Sequence, residues 1–289
     1  MFQIENQQLK VTIHPKGAEL QSIFHKGHQT EYLWSGDPAF WGKHSPILFP
    51  IVGTLKENSY HYEGKTYSLG RHGFAREMDF EVVEQEKDQI SLRLRSNAET
   101  LSLFPFEFEL QVIYRLAPNG LATTYTVINP SKEVLYFSVG GHPAFKVPLA
   151  AGTAYEDYYL EFEQKETASR WPISADGLIE KEPLPLLQNS DRLPLTRELF
   201  FKDAVVFKQL SSTLVTLKSD KTKRGLEFDY EGFPFLGIWA AKNADFVCIE
   251  PWCGIADSVD SQQELTAKEG IIRLDGKEIF ERTWNITLF

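Results

Sequence analysis

Two histidines stand in segments punctuated by glycine and proline, Arg71-His72-Gly73-Phe74-Ala75-Arg76 and Gly140-Gly141-His142-Pro143-Ala144-Phe145. A carboxylate lies far downstream in Cys248-Ile249-Glu250-Pro251-Trp252. An imidazole with its ordinary pKa of about 6.5 gives or takes a proton at neutral pH. A carboxylate facing it can withdraw a proton at one atom while the imidazole delivers one at another. The chemistry on offer is paired acid–base transfer, provided that the fold brings distant segments together.

Each of these residues carries a functional and a structural reading. His142 follows an apolar run, Val134 to Val139; Gly140 and Gly141 permit close backbone approach, and Pro143 fixes the exit. The same fragment also reads as a turn histidine bonded to backbone. His72 is flanked by Arg71 and Arg76, whose charges disfavour an imidazolium, so it reads as a neutral hydrogen-bonding group and His142 as the better acid. Arg76 presents a fork of donors for hydroxyls or a phosphate, or pairs on the surface with Glu77 or Asp79. Glu250 ends the apolar run Phe246-Val247-Cys248-Ile249 beside Trp252, where desolvation would raise its pKa and make it a better base. A structural glutamate bonded to loop amides is the alternative. Asp203 opens the run Ala204-Val205-Val206-Phe207, either as an acceptor for hydroxyls or as a strand-start turn residue. Trp239 and Trp252 read as platforms for a sugar face or as core.

The elements that must position them are strands. Leu9, Val11 and Ile13 alternate with polar neighbours, as do Ile90, Leu92 and Leu94. Phe106, Phe108, Leu110, Val112 and Tyr114 form one apolar face, as do Leu121, Thr123, Tyr125 and Val127, and later Phe280, Arg282, Trp284, Ile286 and Leu288. Successive side chains of a strand point to opposite faces, so this period of two predicts half-buried strands. Tyr62-Glu63-Gly64-Lys65, Pro118-Asn119-Gly120 and Asp275-Gly276-Lys277 predict hairpin turns. Helical candidates are short: Asp37 to Trp41, Asn97 to Leu103 and Leu195 to Phe201. Residues 164–193, with three prolines, read as a long surface excursion, and proline-bearing strands are expected at edges. No repeat and no composition break appears. The expectation is one all-β domain over residues 1–289, a large antiparallel sandwich of two sheets with little helix.

Composition narrows the function. Across 289 residues the net charge is −10, which argues against a nucleic-acid partner because phosphate backbones need a basic footprint. No apolar window long enough to span a membrane occurs, and the first residues carry no basic or apolar leader. Cys248 and Cys253 are too few for a disulfide framework, so the chain reads as cytoplasmic with free thiols. Aromatic residues make up 13%, which suits pleated sheets and leaves rings to stack on sugar faces. Walker and dinucleotide-binding loops and a nucleophile elbow are absent. The histidines and Glu250 show no local metal-ligand spacing, so no metal is expected.

Over nearly its whole length the chain resembles the aldose 1-epimerase (galactose mutarotase-like) family, in particular its bacterial branch of shorter proteins associated with lactose-utilisation genes. The resemblance is carried, in order, by Pro46-Ile47-Leu48-Phe49-Pro50-Ile51-Val52-Gly53, His72-Gly73-Phe74-Ala75-Arg76, Gly141-His142-Pro143-Ala144-Phe145, Lys202-Asp203-Ala204 and Ile249-Glu250-Pro251-Trp252. It implies a β-supersandwich with a sugar in a cleft on its concave face and no cofactor. It further implies Glu250 as base on the anomeric hydroxyl, His142 as acid on the ring oxygen, and His72, Arg76 and Asp203 as binders of hydroxyls. Many relatives carry a basic residue where this chain has Thr54, with Lys56 two residues on and Arg71 able to supply the charge instead. The resemblance therefore implies anomer exchange on a free aldohexose. Arg71, Arg76 and Lys56 leave open a hexose 6-phosphate, and the scaffold alone leaves open a non-catalytic sugar-binding protein. Oligomeric state is not legible in the sequence.

Overall fold

The computed structural model describes residues 1–289. Nine antiparallel strands form the largest sheet, in the order 190–194, 158–166, 214–219, 222–229, 279–288, 120–128, 109–117, 89–95 and 81–85. Along its central strands the sequence alternation becomes an alternation of burial: Leu110, Val112 and Tyr114 are buried, and Thr123, Tyr125 and Val127 on the next strand lie under the same face. A second sheet runs through strands 205–207, 235–239, 246–253, 139–141 and 47–48, with 144–146 also paired to 246–253. Four N-terminal strands, 2–5, 9–14, 19–25 and 30–31, form a third sheet.

The nine-stranded sheet and the 246–253 sheet face each other across a core cluster of 69 buried residues. Phe145 meets Phe228 edge-on, and Phe228 stacks on Trp284 with centroids 5.2 Å apart. The buried Trp284 indole donates to Tyr125 Oη at 3.0 Å, so its one polar atom is satisfied inside the core. The all-β sandwich is thus present, with its second sheet built around strand Phe246–Cys253. No helix is long and apolar enough to cross a membrane.

Local expectations fare unevenly. The turns at Glu63-Gly64 and at Pro118-Asn119 close the hairpins 59–62/65–68 and 109–117/120–128. Asp275-Gly276-Lys277 does turn, but it closes no hairpin: Ile272–Leu274 pairs with Leu135–Phe137, whereas Ile279–Leu288 pairs within the large sheet. The chain changes sheets there, held by the Asn129 amide, which donates to the carbonyls of Glu133, Leu274 and Asp275. Asn97 caps a true helix, Ala98–Leu103, and Arg197–Phe200 is a 3₁₀ turn. Residues Asp37 to Trp41 form only a turn, with the amides of Phe40 and Trp41 both donating to Asp37 O. The 164–193 excursion is not wholly superficial. Leu178, Ile179 and Leu187 are buried, and Ile179 joins Leu48, Val206, Phe235 and Trp252 in a smaller cluster. Pro251 also departs from the edge rule, for a reason that belongs to the site.

One buried ion pair fastens the loops around that site. Lys268 Nζ donates to Asp257 Oδ1 at 2.7 Å, with both side chains about 3% exposed. Asp257 Oδ2 accepts from the Lys56 amide at 3.0 Å, its own amide donates to Thr54 O, and its carbonyl accepts from the Ile179 amide. Removing the carboxylate leaves a buried ammonium without a counter-charge. Asp257→Ala is therefore expected to lower the unfolding free energy by about 3–5 kcal/mol. The double variant Asp257→Leu/Lys268→Met should recover most of the loss, and urea denaturation of the two proteins checks both statements.

Candidate active site

The cleft is built on one register. Ala144 lies opposite Cys248, and Gly140 lies opposite Trp252. Both pairs belong to one unbroken antiparallel alignment, which puts His142 directly across from Glu250 although no ladder bond joins them. Pro143 and Pro251 flank this pair and each removes one donor from the ladder, while the Ile249 amide still donates to Pro143 O at 3.3 Å and carries the alignment through. Pro251 thus stands in an interior strand at the cost of one ladder bond, next to the carboxylate that the strand carries. Opposite residues share a face, and His142 Nε2 comes within 3.2 Å of Glu250 Oε2. On the other side of Glu250 lies Gly237, where a Cβ would stand 2.5 Å from the Trp252 ring. Glycine there lets Trp252 lie flat against the sheet and keeps the cleft floor open.

A second segment approaches the pair from the loop side. The His72 amide donates to Gly53 O at 2.8 Å, and the Gly53 amide donates back to His72 Nδ1 at 3.1 Å. This reciprocal pair assigns the ring proton of neutral His72 to Nε2. His72 has φ +68° and Gly73 has the same φ; a Cβ at Gly73 would meet Phe49 O at 2.3 Å. Asp203, on the opposite wall, has φ +113°. Two non-glycine residues in strained backbone at one cleft fit a site whose side-chain directions matter more than local comfort. Arg71 Nη2 reaches Asp203 Oδ1 at 3.4 Å, and Arg76 Nη2 donates to Arg71 O at 2.9 Å. The resulting cavity is about 300 Å³, walled by Trp41, Trp239 and Trp252 with Arg71, Arg76 and Asp203 as its polar groups.

Burial dominates the electrostatics. It pushes the His142 pKa down to about 3, with Arg71 and Arg76 acting in the same direction. Glu250 is raised well above the carboxylate range by burial, against the pull of Arg71 and with the help of Asp203. The pair therefore holds one proton between two atoms 3.2 Å apart, as neutral imidazole with carboxylic acid or as imidazolium with carboxylate. His72 is held well below its ordinary value by burial, by His142 and by the two arginines.

Eight of the nine residues singled out in the sequence line this cavity: His142, Glu250, His72, Arg76, Asp203, Arg71, Trp239 and Trp252. Lys56 does not. Its ammonium donates to Ser261 O at 3.2 Å, on the far side of the Asp257 knot. Thr54 is buried and outside the cavity as well, and Arg71 supplies the positive charge at the mouth. Two neighbours escaped the sequence reading. Trp41 stacks on His142, and its turn gave no signal because the contact spans about a hundred residues. Cys248 sits two residues before Glu250 on the same strand face, and its thiol, His142 and Glu250 offer S, N and O atoms within 4.8 Å of one another. Strand periodicity from Glu250 would have found it. His142 Nδ1 has no acceptor to fix a metal-binding tautomer, burial pushes the Cys248 thiol up, and both cysteines are free.

His72 makes stability depend on acid. Between about pH 6.5 and 4.5 an unfolded chain protonates this imidazole whereas the folded chain does not, so stability falls as pH drops. The His142–Glu250 pair holds one proton folded, and its imidazole takes one when unfolded, so it adds little slope in that window. His72→Asn keeps an acceptor for the Gly53 amide and tolerates positive φ. The variant should lose about 1 kcal/mol per pH unit of the wild-type acid dependence between pH 6.5 and 5. Denaturant titrations at both pH values measure it, and equal slopes would refute the assignment.

Chain-wide comparison bears on the family and the fold. The family model described as aldose 1-epimerase matches residues 1–279. The chromosomal protein LacX of Lactococcus lactis is 33% identical, with 99% of each chain covered. A galactose mutarotase related enzyme from Lactobacillus acidophilus superposes with a TM-score of 0.95 at 38% identity, covering 100% of this chain and 97% of that one. A galactose mutarotase-like protein from Lactobacillus casei gives 0.94 at 34% identity, with both chains wholly covered. With the match spanning both sheets and the cleft between its strands and loops, this chain belongs to the aldose 1-epimerase family of isomerases.

Proposed function

We propose that the protein interconverts the α and β anomers of an aldohexose by acid–base ring opening. The observation that carries this reading is the His142–Glu250 pair, face to face at 3.2 Å on the floor of a monosaccharide-sized cleft. In its ionised form the pair offers a carboxylate and an imidazolium side by side. Glu250 takes the proton of the O1 hydroxyl, His142 gives its proton to the ring oxygen O5, and the C1–O5 bond breaks to leave an aldehyde. Rotation about C1–C2 presents the other face of the carbonyl. His142 then withdraws the O5 proton as O5 attacks C1, and Glu250 returns a proton to O1. The pair ends as it began, so no redox or group-transfer partner enters the balance. In this reading His72 Nε2–H, Arg76 and Asp203, all lining the cavity, bind hydroxyls, and Trp239 and Trp252 face the apolar side of the ring. Two free, buried thiols fit a cytoplasmic setting.

Glu250→Gln and His142→Asn are each expected to lower kcat by about 10²- to 10⁴-fold, with the melting temperature of the variant no lower than wild type. Following a pure anomer by polarimetry or exchange NMR measures the effect. Near-wild-type rates in either variant would overturn the reading.

A second reading rests on Arg71, whose side chain is 44% exposed at the cleft mouth and tied only by the 3.4 Å contact to Asp203. A guanidinium so placed can take a substrate phosphate in place of that partner. If the substrate is a hexose 6-phosphate, Arg71→Met should raise KM by about tenfold or more for it and leave free sugars unaffected. A panel of free and 6-phosphorylated hexoses decides between them. Saturable binding by calorimetry with no anomer exchange on any sugar would instead identify a sugar-binding protein.

A further inference from the structure

Trp41 is the one ring on His142 that the proposed proton transfers leave without a part. Its indole stacks on the imidazole with centroids 4.9 Å apart and planes at 29°, while Trp239 meets the same imidazole edge-on at 5.6 Å. Behind it lies Phe246, at 5.6 Å and 30°, on the strand that carries Glu250. The turn bearing Trp41 is pinned on both sides. The buried Trp34 indole donates to Trp41 O at 2.9 Å, and the Ala39 amide to Asp37 Oδ1 at 2.9 Å. Just beyond the turn, the buried Glu19 carboxylate accepts from the amides of His44 and Ser45. The indole is therefore held against His142 by structure beneath it.

His142 lacks the usual means of fixing an imidazole. Its Nδ1 is buried with no hydrogen-bond partner, and only the residue's own backbone lends the charged ring any support from behind. The charged and titratable groups around it are Glu250 and Cys248 on the facing strand, His72, Arg71 and Arg76 on the neighbouring turn, and Asp203 across the cleft. The two nearby guanidinium groups oppose an imidazolium, yet ring opening needs one. A π face attracts the ring more strongly once it is charged.

We propose that Trp41 is a positioning residue for proton transfer, its indole face orienting the His142 imidazole against Glu250 and stabilising its protonated form. The proposal rests on the mutarotase reading. Two variants separate the π face from simple exclusion of water. Trp41→Phe keeps an aromatic face, and Trp41→Leu keeps apolar cover without one.

The experiment is anomer exchange by NMR across pH for wild type and both variants, with a titration of the His142 ring protons in the free proteins. Trp41→Phe should stay within about threefold of wild type, while Trp41→Leu loses roughly tenfold in kcat with KM changed less than about twofold. In Trp41→Leu the alkaline limb of kcat should move to lower pH, because the pair gives up its last proton more readily. Trp41→Phe should restore it, and the ring titration should move in the same direction as the limb. Equal rates and equal alkaline limbs in the Leu and Phe variants would overturn the proposal. Wild-type protein that exchanges no anomers of any sugar would overturn the mutarotase reading instead. The ring titration then still tests the contact: identical His142 titration in the two variants would refute it.

Discussion

The contact between His142 and Glu250 depends on a cross-strand alignment maintained through a stretch in which two prolines thin the ladder bonds. Pairing on both sides of that stretch, at Gly140 with Trp252 and at Ala144 with Cys248, dictates that these two side chains share a face. A slip of one residue would turn the imidazole or the carboxylate into the opposite face of the sheet. Pro143 and Pro251 each remove one donor beside the pair, and the Ile249 amide, donating to Pro143 O at 3.3 Å, keeps the two strands in line. Much of the surrounding architecture serves to hold this alignment. The nine-stranded sheet packs against its back, and Phe145 and Phe228 tie the two layers together.

Burial of that pair has a consequence for the chemistry. In a dry pocket neither an isolated imidazolium nor an isolated carboxylate is favoured, and the shift of each group away from its charged form follows. Together they store a single proton with no net charge in either arrangement. The energy separating the arrangements depends on what else touches the two groups: the arginines and Asp203 through charge, the indoles through their faces, and a substrate through its hydroxyls. Strained backbone at His72 and Asp203 places two of these contacts, and the Asp257–Lys268 pair holds the loop on which the His72 turn closes.

The strand pattern was legible because burial on one face of a sheet demands a period of two, and that demand is local. The same locality made the hairpins at Glu63-Gly64 and Pro118-Asn119 readable, since two residues with the right dihedrals decide them. It failed at Asp275-Gly276-Lys277, where the turn chemistry is correct but Asn129, about 145 residues earlier, steers the following strand into another sheet. Lys56 illustrates a related limit. Its charge and its closeness to a family motif suggested the cleft, but the Asp257 carboxylate captures its backbone and turns the side chain toward Ser261.

By itself the sequence determined the residue types able to exchange protons, the strands that could carry them and, by resemblance, their family. Local composition and periodicity suffice for those. Tertiary structure decided which atoms meet: that His142 faces Glu250 with its Nδ1 unpartnered, that Trp41 covers it, that Cys248 lies beside it, and that Arg71 rather than Lys56 reaches the mouth. Each of these contacts joins segments far apart in the chain. Their geometry is set by strand register and loop anchoring across whole sheets, which leave no mark in any short window of residues.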